Sequence, residues 1–135
     1  MATGFYIKGK DNIGKGQISL TTDEIVVALV DTSKYSVDLA NDEFQDAIPD
    51  DAIIAERTLI ATQFDANVFD ADDLLFPQLE TGHTIGAFVI IKNTGDYNTS
   101  LLICYIDNAP ELPVTTDDSD FTIQWDNGTN KIFKL

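Results

Sequence analysis

Residues 85–107 read IGAFVIIKNTGDYNTSLLICYID: an apolar run, a polar link around Gly95, then a second apolar run. Two strand-length runs rich in β-branched and aromatic residues, joined by Asn, Thr, Gly and Asp, predict a β-hairpin with a longer loop. It is the clearest structural signal in the chain. Upstream, residues 17–33 (QISLTTDEIVVALVDTS) predict a strand, a turn at Thr21 to Glu24, and a second strand from Ile25 to Val30. That second strand is apolar throughout, which implies burial on both faces.

The same pattern continues outward. Residues 53–62 (IIAERTLIAT) are long enough for a strand, and residues 67–79 (NVFDADDLLFPQL) carry two short apolar runs, Val68 to Phe69 and Leu74 to Phe76, around an acidic turn. Near the C-terminus, strict alternation places Phe121, Ile123 and Trp125 on one face. An Asp-Asn-Gly turn signal and a return strand follow, so a second hairpin is expected to carry Ile132, Phe133 and Leu135 into the core. The helix expected lies in residues 37–49 (VDLANDEFQDAIP). There Asn41 or Asp42 caps one or two turns that bury Leu39, Phe44 and Ile48 before Pro49 stops them.

Composition agrees with a mainly β chain. Of 23 acidic residues 18 are Asp, which prefers turns and caps, and 14 Thr add β-branched positions. The expectation is a single-domain β-sandwich or irregular β-barrel with about eight strands and one short helix. Residues 17–135 form that domain. Residues 1–16 contain Gly4, Gly9, Gly14 and Gly16 and are expected to be a flexible N-terminal arm.

The formal net charge is −15, yet Lys8, Lys10 and Lys15 face only Asp11 in that first segment, so it carries +2 and the remainder −17. A chain this acidic repels phosphate backbones and acidic membranes, so neither nucleic acid nor membrane is an expected partner. The basic arm suits an acidic surface on a neighbouring protein, and Phe5, Tyr6, Lys8, Lys10 and Lys15 are the expected partner contacts. The start MATGFYIKGK lacks the pattern of a signal peptide, and the longest apolar stretches fall far short of the roughly 20 residues of a membrane helix. A single cysteine, Cys104, allows no internal disulfide and fits synthesis in a reducing cytoplasm.

Chemistry-bearing patterns are weak. The sole histidine, His83, stands in ETGHT without a nucleophile motif beside it, and Cys104 lies inside an apolar run that does not favour a thiolate. Two Cys and His residues are too few for a zinc site. Calcium is the one metal whose oxygen chemistry the loop acids Asp70, Asp72, Asp73, Asp117, Asp118 and Asp126 suit, but the EF-hand spacing is missing. No phosphate-binding glycine loop is present, and the aromatics are scattered rather than grouped as sugar platforms. A non-enzymatic protein without cofactor is expected.

Five segments together resemble small structural proteins of tailed bacteriophages: VALVDTSKYSVDLANDEFQDAIPDDA (27–52), VFDADDLLF (68–76), FVIIKNTGDYNTSLLICYID (88–107), LPVT (112–115) and WDNGTNKIFKL (125–135). The resemblance implies a virion component made in the host bacterial cytoplasm, of the capsid decoration, cement or head-fibre type. It would bind the major capsid protein or other virion proteins and carry no catalytic residues. A homo-oligomer is expected, with a trimer suited to threefold capsid sites and exposed strand edges able to pair between copies. The alternative is a neck, tail or fibre component that binds virion proteins or host surface glycans, the latter through Tyr97 in the KNTGDYNTS loop.

Overall fold

The computed structural model describes residues 4–135. Among them are twelve strands: β1 (Gly4–Phe5), β2 (Ile25–Val30), β3 (Ile53–Thr58), β4 (Gln63–Asp65), β5 (Val68–Asp70), β6 (Leu74–Phe76), β7 (Thr84–Ile85), β8 (Ala87–Lys92), β9 (Leu101–Ile106), β10 (Val114–Thr115), β11 (Phe121–Ile123) and β12 (Phe133–Lys134). One α-helix, α1 (Ile7–Gly14), follows β1 directly. The excess over the eight strands expected comes from pieces two or three residues long, which carry too little periodicity to stand out in a sequence.

The centre is an antiparallel sheet in the order β1-β9-β8-β2-β3. β8 and β9 are the hairpin expected at 85–107, and β2 is buried at all six positions, as its continuous apolar run implies. One face packs Ile25, Val27, Leu29, Phe88, Ile90 and Ile103 against the three small sheets β10-β7, β11-β6 and β12-β5-β4. The other face packs Val26, Ala28, Val30, Val89, Ile91 and Leu102 under the crossover of residues 31–52, which contributes Tyr35, Ile48 and Ala52. The result is a sandwich-like stack, and the sheets do not close into a barrel.

The pairing of β8 with β9 shifts register between Ile90 and Ile91. Adjacent residues Ile103 and Cys104 consequently both reach the larger core, while Leu102 and Tyr105 reach the smaller.

Four expectations are corrected. The strand expected at 17–20 is instead a turn, in which the Asp23 carboxylate accepts the Ser19 N–H at 2.7 Å and Thr22 Oγ1 donates to Ser19 Oγ at 2.6 Å. Local side-chain bonds have displaced the ladder, although Ile18 and Leu20 remain buried. In residues 37–49 only a single 3₁₀ turn forms, Gln45–Ala47. Asp38 draws the Ala40 and Asn41 N–H groups to its own carboxylate, Phe44 is exposed, and the polar Gln45 is buried in its place.

The third correction concerns the C-terminal hairpin. β11 pairs with β6 and β12 with β5, never with each other. Trp125 causes the divergence: its backbone N–H reaches Asp73 Oδ1 at 3.0 Å and its indole N–H reaches the Asp72 carbonyl at 3.0 Å, which ends β11 and turns the chain away. Burial of Ile132 and Phe133 in the core does hold.

The fourth correction is the N-terminal arm. Residues 4–14 are not free: they form β1 and α1, and α1 lies against β9. Gly9 makes this possible, because a Cβ there would be 2.4 Å from the Leu102 carbonyl oxygen and 3.0 Å from Ile103 Cα. At Gly9, what reads as flexibility is thus a requirement for close backbone approach. Residues 1–3 of the expected arm lie outside the described residues.

Candidate interaction surface

The five residues expected to contact a partner have separate fates. Tyr6 is fully buried, with its hydroxyl 2.9 Å from that of Tyr35, which in turn donates to Asp42 Oδ2 at 2.7 Å. Burial first, then the adjacent Tyr35, push the Tyr6 phenol far above its ordinary value; burial does the same to Tyr35. Tyr6 is therefore an anchor of the core and is removed from the contact set. Phe5 is half-buried, its ring edge-on to Phe133 at 5.0 Å, with Lys10 Nζ 5.1 Å from its centroid. Lys8, Lys10 and Lys15 are exposed, the first two on α1 and Lys15 at its C-cap. Ile7, 54% exposed, accompanies them.

Side chains singled out for chemistry are engaged locally. Cys104 is buried, and burial pushes its thiol up to about 12, so at neutral pH it is a protonated, apolar core residue. His83 exchanges main-chain contacts with Thr116, donating its N–H to Oγ1 at 3.0 Å and accepting the Thr116 N–H at 2.8 Å. Asp118 accepts from the Thr81 N–H and hydroxyl, Asp120 from the Gln78 N–H, and Asp126 from the Gly128 N–H. These carboxylates hold loops together, and among the described residues no three His, Cys, Asp or Glu gather where a metal ion would be held. The clefts are shallow, about 230 Å³ for the one between Ile85, Val114 and Phe121.

What distinguishes the surface is how differently the two edges of the central sheet are finished. Along β9 the outer main chain is occupied almost residue by residue. Gly4 and Phe5 pair with Tyr105 and Cys104, and the Tyr6 N–H donates to the Ile103 carbonyl at 3.1 Å. Leu102 donates its N–H to the Glu43 carbonyl at 2.9 Å, Phe44 bridges Leu101, and the Gln45 N–H reaches the Ser100 carbonyl at 2.9 Å. This edge is sealed.

At the opposite edge β3 pairs only with β2 among the described residues. The Leu59 N–H donates to the Ile25 carbonyl at 2.8 Å, which fixes the phase of the ladder. Antiparallel strands alternate, so Ala55 and Arg57 direct their backbone groups to β2, and the N–H and C=O of Glu56 and Thr58 point outward. Glu56, Arg57 and Thr58 are all exposed.

Apolar and acidic groups flank this edge. On one side Arg57 Nη1 donates to the Leu75 carbonyl, and the partly buried Ile54 and Ala55 pack against the larger core. On the other, Gln45 Nε2 donates to Glu56 Oε1, and the exposed Tyr97 faces Glu56. Partial burial, then the Glu56 carboxylate and Asp50, raise the Tyr97 phenol above its ordinary value. Sequence reasoning missed this site. Its signal was the switch from Ile-Ile-Ala to Glu-Arg-Thr within one strand, the mark of an element that leaves the core halfway along.

No protein-family model matches the chain, and no curated protein matches its sequence.

Proposed function

We propose that this protein is a non-enzymatic structural component of a tailed-phage virion, a decoration or cement protein that binds the major capsid protein and stabilises the head. What carries the reading is where the resembling segments fall in the fold. Residues 27–52 supply β2 and the crossover above it, residues 88–107 supply β8 and β9, and residues 68–76 and 125–135 supply small sheets against the opposite face. The resemblance therefore runs through every layer of the architecture rather than through one loop.

Binding would be by surface rather than by cleft. Ile7, Phe44, Ile60, Leu75 and Tyr97 are large, exposed and distributed over several elements, which suits a protein that touches more than one neighbour. Weak contacts repeated by symmetry sum to capsid stabilisation. The exposed Lys8 and Lys10 of α1, with Lys15 at its C-cap, replace the flexible arm as the cationic contact, and the helix presents them at fixed positions.

Counting copies on purified particles, with the major capsid protein as internal standard, tests the reading. A count comparable to that of the major capsid protein is expected. A few dozen copies or fewer would overturn it in favour of the neck, tail or fibres.

A further inference from the structure

We infer that the outer edge of β3 accepts an additional strand, contributed by a partner segment that alternates apolar residues with Lys or Arg. The inference stands on the sheet edge alone and does not depend on the virion reading. An unpaired six-residue edge presents backbone donors and acceptors at strand spacing, and an extended segment is the ligand that matches them. Here the matching groups are the outward N–H and C=O of Glu56 and Thr58.

Side chains beside the edge define the partner. In an antiparallel pair, residues directly opposite point to the same face. The residue opposite Glu56 thus meets a carboxylate, with Asp50 and the Tyr97 hydroxyl close by, and a cation belongs there. Its neighbours on the partner strand point to the other face, that of Ala55 and Arg57, where Ile54 and Ala55 pack against the larger core and Arg57 is already engaged with the Leu75 carbonyl, so apolar residues belong there. The alternation of cation and apolar residue follows from the pleat.

The same charges exclude a second copy of this chain. A twofold pairing of two β3 strands keeps each face on its own side, so opposite residues come from positions of the same parity. Centred on Glu56 or on Arg57, it sets like charges about 5 Å apart. Centred on Ala55, it runs into the bulge at Ile54, which interrupts the ladder, and centred on Thr58 it sets the Glu56 carboxylate against Ile60. Two bodies of net charge −15 also repel at longer range. The edge is closed to itself and open to a basic strand.

The test uses a capped seven-residue peptide of alternating valine and lysine, beginning and ending in valine, with amide exchange of the full chain followed by NMR. Protection of the Glu56 and Thr58 amides is expected to rise on binding. The same peptide N-methylated at alternate residues keeps its charge but loses the donors of one edge, and is expected to bind at least about tenfold more weakly. Thr58→Pro removes an outward N–H while sparing the β2 ladder and has the same expected effect; Glu56→Lys shifts preference to a valine–glutamate peptide. Equal affinity for the N-methylated peptide would mean charge alone attracts it and would overturn the inference. Protection of the two amides that rises with protein concentration in the absence of peptide would overturn it as well, in favour of a second copy.

Discussion

The β9 edge and the β3 edge belong to one sheet, yet the chain treats them oppositely. It spends residues 4–14 and 43–45 on covering β9, the strand whose six residues are all buried. It leaves β3, whose last three residues are exposed, with charges instead of a cover. The difference follows from what each edge would otherwise do. A long apolar edge such as LLICYI is an aggregation template unless it is covered, whereas Glu-Arg-Thr tolerates water and rejects its own copy. An uncovered edge that persists in a folded protein is where a partner is to be sought.

The largest expected effect is on the sealed edge. Gly9→Ala forces a Cβ to within 2.4 Å of the Leu102 carbonyl and should cost about 3 kcal/mol in denaturant melts. Alkylation of Cys104, whose backbone pairs with Phe5, should be slow in the parent chain and much faster in the variant. A variant with unchanged midpoint and thiol rate would mean that α1 does not rest on β9.

Alkaline pH probes the same edge through Tyr6. Its folded pKa is raised above the ordinary 10.0, so its contribution to stability is complete below pH 10. Above that the unfolded chain releases a proton that the folded one keeps, and stability falls by about 1.4 kcal/mol per pH unit for this phenol. Tyr6→Phe should flatten that part of the alkaline decline. At neutral pH the variant should cost only about 1 kcal/mol, because Tyr35 retains its bond to Asp42. An unaltered alkaline profile would show the Tyr6 hydroxyl to be solvated.

The smallest expected effect is at the open edge. Thr58→Pro should change stability by no more than about 0.5 kcal/mol, since proline is accepted where the strand N–H faces solvent. A loss of several kcal/mol would place that N–H in the β2 ladder and reverse the assignment of outward groups.

These two edges also show what the sequence disclosed. β2, β8 and β9 were legible because long apolar runs bounded by turn residues have few alternatives. The small sheets were legible as apolar pieces but not as pairs: that Phe121 lies opposite Phe76, or Phe133 opposite Phe69, depends on Trp125 reaching Asp72 and Asp73, a contact across some fifty residues. α1 was hidden because Gly9 and Gly14 lower helix propensity, and packing on β9 overrides it. Of the expected contact residues Lys8, Lys10 and Lys15 reach the surface, whereas Tyr6 does not, because an aromatic residue in a short polar segment gives no sign of which sheet it will cap. Glu56 and Thr58 went unnoticed since an edge is a property of sheet order, which no local pattern records.

Residue-resolved hydrogen exchange on the free protein tests the contrast most directly. The amides of Tyr6 and Ile7, bonded to the carbonyls of Ile103 and Leu39, should exchange slowly together with Leu102, while those of Glu56 and Thr58 exchange near the rate of an unstructured chain. Fast exchange through residues 4–14, or slow exchange at both Glu56 and Thr58 in dilute protein, would contradict the account.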